Sequence, residues 1–188
     1  MARSLALVAA VVVVFACGGV VRLVPAELYT VTAPLMLGPG KQPLTACRFI
    51  PFSIPPPWCG GVEVRGVDVQ RVPGARRLSN GATMTDSVRL VGRWDGTALN
   101  LTEPPRRATQ SATSITHFPA GPTPRAAAAL QRVVADEQEL KRLGIFVMEC
   151  TTDGDNVVLL VPVADQHTVR TLEQRYGPVM VSAWLQRA

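Results

Sequence analysis

Between Pro55 and Pro105 the chain alternates apolar and polar residues in two runs, a period of two that marks strands with one buried face. In VEVRGVDVQRV, Val62, Val64, Val67 and Val69 hold the apolar positions, and Gly66 shifts the count by one residue, as a bulge does. In SVRLVGRWDGTALNL, Val88, Leu90 and Gly92 alternate with Ser87, Arg89 and Val91, and Leu99 and Leu101 continue the pattern on a return strand. Asp95-Gly96 between them is a hairpin signal, because both residues tolerate positive φ. Tyr29–Val31 and Leu35–Leu37 read as two further short strands, and the polar run 72–86 as a loop. Four or five such strands make a small barrel or sandwich.

The alternation ends at Pro104, and residues 104–124 are rich in Pro, Ser, Thr and Ala without a period, as a linker is. A second unit starts at Thr123-Pro124, a good N-cap followed by a good first helical residue. Leu130, Val133, Val134, Leu140 and Leu143 predict one side of a helix running to Gly144. Ile145–Cys150 and Val157–Val163 flank the polar turn TTDGDN as a hairpin, Asp165 caps a second helix, and Val179–Leu185 is a last strand. A right-handed crossover would lay that strand parallel to Val157–Val163. The Asp153–Asn156 turn lacks the frame of a calcium loop and is assigned to the hairpin.

Ser4–Val21 is uncharged and almost entirely apolar, with Arg3 before it and Arg22 after it. Its length is at the lower limit of a membrane span, typically ~20 residues, and it also fits a secretory signal. Three fates are compatible with it: an uncleaved anchor, a cleaved signal, or a lipoprotein with Cys17 as the candidate for lipidation. Phe15 occupies a position where a lipobox carries a small residue. All three place residues 26–188 outside the cytoplasm, because Arg3 favours a cytoplasmic N-terminus. The expected fold class is therefore α+β. Residues 1–25 form a membrane helix or signal, 26–105 a small all-β barrel or sandwich, 106–122 a linker, and 123–188 an αββαβ domain.

An oxidising compartment permits disulfides. Cys47 and Cys59 enclose a short loop stiffened by Pro51, Pro55, Pro56 and Pro57, and are the expected pair. Cys150 is then unpaired and reads as a small buried hydrophobe. No zinc spacing is present and no cofactor is expected. The net charge of +5 comes almost wholly from arginine, with Lys41 and Lys141 the lysines. Those arginines are interleaved with acids, and aromatics make up only 5% of the chain, which argues against nucleic acid. An anionic membrane is the more natural neighbour for such a face.

PPPWCGG, VRGVDV and VRLVGRWDGTALNLTEPP together resemble a pattern in uncharacterised secreted or membrane-anchored actinobacterial two-domain proteins. The matching positions are Pro56, Pro57, Cys59, Gly60, Gly92, Asp95, Gly96, Leu101, Thr102, Glu103 and Pro104, while Trp58 and Val67 depart from it. The resemblance implies architecture and location and brings no activity. Gly92, Asp95, Gly96 and Glu103 are read as a structural turn motif rather than as catalytic residues. GxSxG, HExxH and SxxK are absent, and His117 and His167 are the two histidines. The expectation is a non-enzymatic, single-pass cell-membrane protein whose extracytoplasmic part binds an unknown envelope protein or ligand. Its membrane contact runs through residues 4–24. The alternatives are a regulatory or inhibitory docking module and a secreted hydrolase with a carboxylate pair drawn from Asp68, Asp86, Asp95 or Glu103, of which Asp95 and Glu103 are the ones to test by alanine.

Overall fold

The computed structural model describes residues 27–40, 42–50, 59–109 and 123–188. The first part contains β1 (Tyr29–Leu37), β2 (Leu44–Phe49), β3 (Gly60–Arg65), β4 (Arg76–Arg77), β5 (Thr83–Trp94), β6 (Ala98–Leu101) and β7 (Arg106–Arg107). The second contains helices α1 (Pro124–Ala135) and α2 (Glu137–Arg142), strands β8 (Glu149–Asp153) and β9 (Asn156–Val161), α3 (Gln166–Tyr176), β10 (Val179–Ala183) and β11 (Gln186–Arg187).

Five strands close on themselves in the order β1-β2-β3-β6-β5-β1, with β3 and β6 parallel and the other neighbours antiparallel. That is the Greek-key order of an OB-type barrel. The twelve residues of β5 organise it. One edge pairs with β1 from Tyr29 to Leu37, and the other pairs in turn with β4, β7 and β6. Inward side chains from Val31, Leu35, Val62, Val64, Val88, Leu90 and Leu99 are all buried and form the core. Full burial of each such side chain contributes about 1.5–3 kcal/mol.

The two short strands expected before Gly38 are one strand, β1, with a register shift between Pro34 and Met36. Pro34 has no N–H for the ladder. At the irregularity the Leu35 N–H donates to Thr85 Oγ1 at 2.9 Å, and the Thr85 hydroxyl donates to the Asp86 carbonyl at 2.7 Å. A buried threonine thus satisfies the backbone that proline displaces. The run Val62–Val69 is not one bulged strand. Gly66 has φ +84, turns the chain and ends β3, and Asp68 Oδ1 accepts from the Gln70 N–H to start a 3-10 turn at Val69–Arg71. The loop expected over 72–86 is also shorter, since β4 and the first residues of β5 lie within it.

In the second part Thr123 and Asp165 cap α1 and α3, accepting from Ala126 N–H at 3.3 Å and Thr168 N–H at 2.7 Å. The single helix expected to Gly144 is broken at Asp136, which ends α1 and precedes α2. The break carries Leu140 into the core and leaves Val134 and Leu143 exposed. Of the expected strand Ile145–Cys150, only Glu149 and Cys150 pair, and β8 continues through Thr151 and Thr152 into the turn. The small sheet runs β10-β9-β8, with β10 parallel to β9 and β8 antiparallel to it.

The α+β expectation headed by a membrane helix is corrected here. The described chain is mostly β, with a closed five-strand barrel and three helices. Among the described residues no helix is long and apolar enough to cross a membrane, and residues 4–24 lie outside them. The αββαβ expectation also stopped short. Beyond β10, Trp184 and Leu185 N–H groups donate to Val161 and Pro162 carbonyls, and Leu185 enters the barrel core. Then β11 pairs with Tyr29 and Thr30 of β1.

Replacing Thr85 with Val keeps its volume but leaves the Leu35 N–H unpartnered in the core; urea unfolding should show a loss of about 1–3 kcal/mol. The Cys47–Cys59 disulfide ties β2 to the residue before β3, closing a loop with a sequence separation of 12. Converting both cysteines to Ala should lower stability by about 3 kcal/mol in the chain-entropy view, read in the same assay.

Candidate binding groove

The β5–β6 hairpin is held by one carboxylate. Asp95 Oδ1 accepts from Thr97 N–H (2.9 Å), Thr97 Oγ1 (2.8 Å) and Ala98 N–H (2.8 Å), and Oδ2 accepts from the Asn100 amide (2.8 Å). Arg65 of β3 adds an ion pair at 3.3 Å to Oδ2 while its Nε lies 2.7 Å from Glu63 Oε1. These donors, the Ala98 N–H first and then the Asn100 amide and Thr97 N–H, hold the Asp95 carboxyl far below the usual carboxylate range. Every donor is directed at the ionised form, so this group fixes a turn and is a poor proton donor. Gly96 follows with φ +96. Gly92 sits where a Cβ would run into the backbone of Asn100, so only glycine lets β6 approach β5 there.

Trp94, at the end of β5, packs partly against the barrel core and marks the seam with the helical unit. Across from it the chain leaves α2 through Gly144 (φ +75), with the Ile145 N–H returning to the Leu140 carbonyl at 2.8 Å. That turn buries Ile145 and leaves Phe146 36% exposed beside Trp94. A groove of about 340 Å3 results, lined by Val62, Glu63, Trp94, Thr97, Lys141 and Phe146. A second recess of about 300 Å3 shares Trp94, Gly96, Ile145 and Phe146 and extends toward Tyr29, Asp165 and Thr168. The two form a trough around one indole, its first half walled mainly by apolar groups, as ligand sites usually are, and its second half mainly by polar ones.

A larger recess, about 450 Å3, opens between α1, α3 and the β8–β9 turn and includes Arg125, Arg132, Arg175 and Tyr176. There the Tyr176 hydroxyl donates to Asp136 Oδ2 at 3.0 Å, and burial followed by that carboxylate pushes its pKa up to about 12. Asp136 also takes Arg175 Nε at 3.5 Å, so it ties α3 to the α1–α2 break. None of the turn-motif residues lies in this recess, whereas the trough at the seam contains Gly96 and adjoins Asp95.

The structure brings Gly92, Asp95 and Gly96 together in one hairpin and leaves Glu103 beyond the far end of β6, where it meets Arg106 at 3.6 Å. The Cys47–Cys59 disulfide adjoins Gly61 and Val62 of the trough, with Cα atoms 5.4 Å apart. Cys150 is a free thiol, half-buried against the helical unit's core, and burial ahead of the Glu149 charge raises its pKa. His167 is exposed on α3. Cys17, Trp58 and His117 lie outside the described residues. Among the described residues no three His, Cys, Asp or Glu side chains are grouped to hold a metal ion. Sequence reading missed Lys141 and Phe146, because it continued one helix through Asp136 and placed Phe146 inside a strand. Comparison with family models, curated proteins and solved structures gave no match.

A carboxyl that titrates lower in the folded than in the unfolded chain, where aspartate lies near ~3.9, adds stability that is full at neutral pH and is lost as the pH falls through the folded-state value. Asp95→Ala should therefore cost about 1–3 kcal/mol at pH 7. The low end is expected because the carboxylate is 39% exposed and screened. The gap from wild type should close as the medium is taken toward strong acid. Urea unfolding at neutral and acid pH checks this, with Glu103→Ala as the comparison, expected within about 0.5 kcal/mol of wild type.

Proposed function

We propose that this protein is a non-catalytic, extracytoplasmic binding module that contacts the membrane through residues 4–24 and takes a saccharide chain into the trough around Trp94. The observation that carries the reading is the seam itself. An indole and a phenyl ring line a cleft whose rim carries the Glu63 carboxylate, paired with Arg65, the Thr97 hydroxyl, which donates to Asp95, and the Lys141 ammonium, paired with Glu137. Ring faces with hydrogen-bonding groups at the edge suit a ligand that is apolar on its faces and hydroxylated around its perimeter. OB-type barrels bind oligosaccharides and oligonucleotides on the face of their second and third strands and in the loops joining strands one to two and four to five; here β3 and the β5–β6 loop line the groove, a fold-level analogy. The charge pattern favours the saccharide over nucleic acid, since the trough has two carboxylates, Glu63 and Asp165, and one ammonium, Lys141, rather than a basic channel.

The Cys47–Cys59 disulfide supports an oxidising compartment. The PPPWCGG and LTEPP segments, which resemble actinobacterial envelope proteins, point the same way. Because β11 belongs to the barrel, the two halves favour one joint binding unit over a separately docking C-terminal module. Titrating the full-length protein in zwitterionic detergent with soluble cell-wall glycan fragments should give a saturable change in tryptophan fluorescence. Phe146→Ala, at a partly exposed position, should weaken binding about tenfold without altering the unfolding midpoint. No saturable change, or equal affinity in the variant, would refute the assignment.

A further inference from the structure

All fourteen Asp and Glu residues fall among the described residues, and four of them, Asp153, Asp155, Asp165 and Glu173, have no cationic partner there. Asp153 and Glu173 line none of the recesses described above, and Asp155 shares its recess with Arg125, Arg132 and Arg175. Asp165 is different. The recess it lines, the second half of the trough, contains no Arg, Lys or His, and three aromatic side chains, Tyr29, Trp94 and Phe146, line it too. In the first half of the trough the charges are already paired, Glu63 with Arg65 and Lys141 with Glu137. Asp165 is therefore the uncompensated charge of the trough.

The polar groups around it are also incompletely used. Asp165 Oδ1 accepts from the Thr168 N–H at 2.7 Å and answers the positive end of α3, which leaves Oδ2 without a partner among the described residues. Thr168, on the same wall, is only 8% exposed, yet its hydroxyl makes no hydrogen bond to any described residue. No side-chain oxygen sealed from solvent among the described residues lacks a partner, so Thr168 Oγ1 opens onto the recess. The Asp165 charge is felt at Tyr29 as well. The Tyr29 hydroxyl is pushed up by burial first and then by Glu27, and Asp165 adds to the shift while Arg187, held by Glu27 at 3.1 Å, opposes it.

We propose that the second half of the trough is an ammonium subsite, and that the saccharide taken into the trough carries a free amino sugar whose nitrogen pairs with Asp165. Aromatic faces attract a cation, the unpartnered carboxylate oxygen adds a charge-assisted hydrogen bond, and the Thr168 hydroxyl accepts a further N–H. An acylated nitrogen is neutral and gains neither of the first two. A divalent metal ion fits less well, because it needs six or more oxygen ligands where this recess has rings. The choice of an amino sugar over a free amine rests on the saccharide reading above, since the two halves share Trp94, Gly96, Ile145 and Phe146.

The test is calorimetric titration of the full-length protein in a polyoxyethylene detergent, with a β-1,4-linked glucosamine tetramer and with its fully N-acetylated counterpart. Mildly acidic buffer keeps the free amines protonated. The free-amine tetramer should bind at least about tenfold more tightly, and the gap should shrink as salt rises. The net charge of +5 repels a polyamine overall, so such a preference has a local source. Asp165→Asn keeps a good N-cap and removes the charge, so the unfolding midpoint should hold while affinity for the free-amine tetramer falls about tenfold. Asp155→Asn, in the arginine-lined recess, should leave that affinity within about twofold. Equal wild-type affinity for the two tetramers would overturn the subsite, as would equal weakening by the two variants. Should Asp165→Asn fail to fold, the wild-type comparison decides alone. Acetylated tetramer that binds as tightly as the free amine leaves the saccharide trough standing without its ammonium subsite. Saturable binding of ethylammonium chloride that Asp165→Asn abolishes, with none of the acetylated tetramer, upholds the ammonium subsite and refutes the saccharide trough. No saturable binding of any of the three probes overturns both.

Discussion

A strand in a closed barrel must pair on both edges, and β1 meets that demand only with help from the far end of the chain. Its inner edge is taken by β5 over its whole length, but β2 covers only Leu35–Leu37 on the other side. The remaining half would present unpaired N–H and C=O groups beside an apolar core, a costly arrangement. Gln186 and Arg187 supply the missing ladder at Thr30 and Tyr29, the Ala188 N–H reaches the Leu28 carbonyl, and Leu185 fills the core beneath. The position of the helical unit follows from this. With β10 fixed beside β9 and β11 fixed beside β1, the α2–β8 turn is brought against Trp94, and the trough is the space left between them.

Polar groups in this protein mostly hold backbone in place. Thr85 compensates for a proline, Asp95 gathers a hairpin, and Asp136 joins a helix break to Tyr176 and Arg175. Each takes up donors that sequence-local geometry would leave unsatisfied, which is why each sits at an irregularity rather than inside a regular element.

Much of the barrel was legible. Val62, Val64, Val88, Leu90 and Leu99 were identified as inward-facing from period alone, and the Asp95-Gly96 turn and the cysteine pair from residue type and spacing. What was hidden depended on contacts remote in sequence. The continuity of β1 through Pro34 needs the Thr85 hydroxyl, fifty residues away. Gly66 could be a bulge or a turn by composition, and the positive φ that decides it is set by the path to Val69 and Val72 in the core. The α1–α2 break leaves a helical pattern nearly intact on either side, so Asp136 carried no visible stop. The trough was least legible, because Trp94 and Phe146 acquire a shared function only when two units meet. The expected membrane helix rested on residues 4–24, which lie outside the described residues, and the fold class itself changed because the closed barrel gives the described chain far more strand than helix.

The pairing of β11 with β1 also bears on how such a chain can fold while it is being made or exported. Contacts between residues so far apart in sequence carry a high loop-closure cost and slow the search. Until Leu185–Arg187 arrive, the barrel can exist only with half of one strand edge open, the state in which sheets recruit foreign strands. A partly emerged chain would therefore benefit from having that edge shielded, and the Cys47–Cys59 bond, formed within the early half, limits how far the incomplete barrel can unravel meanwhile.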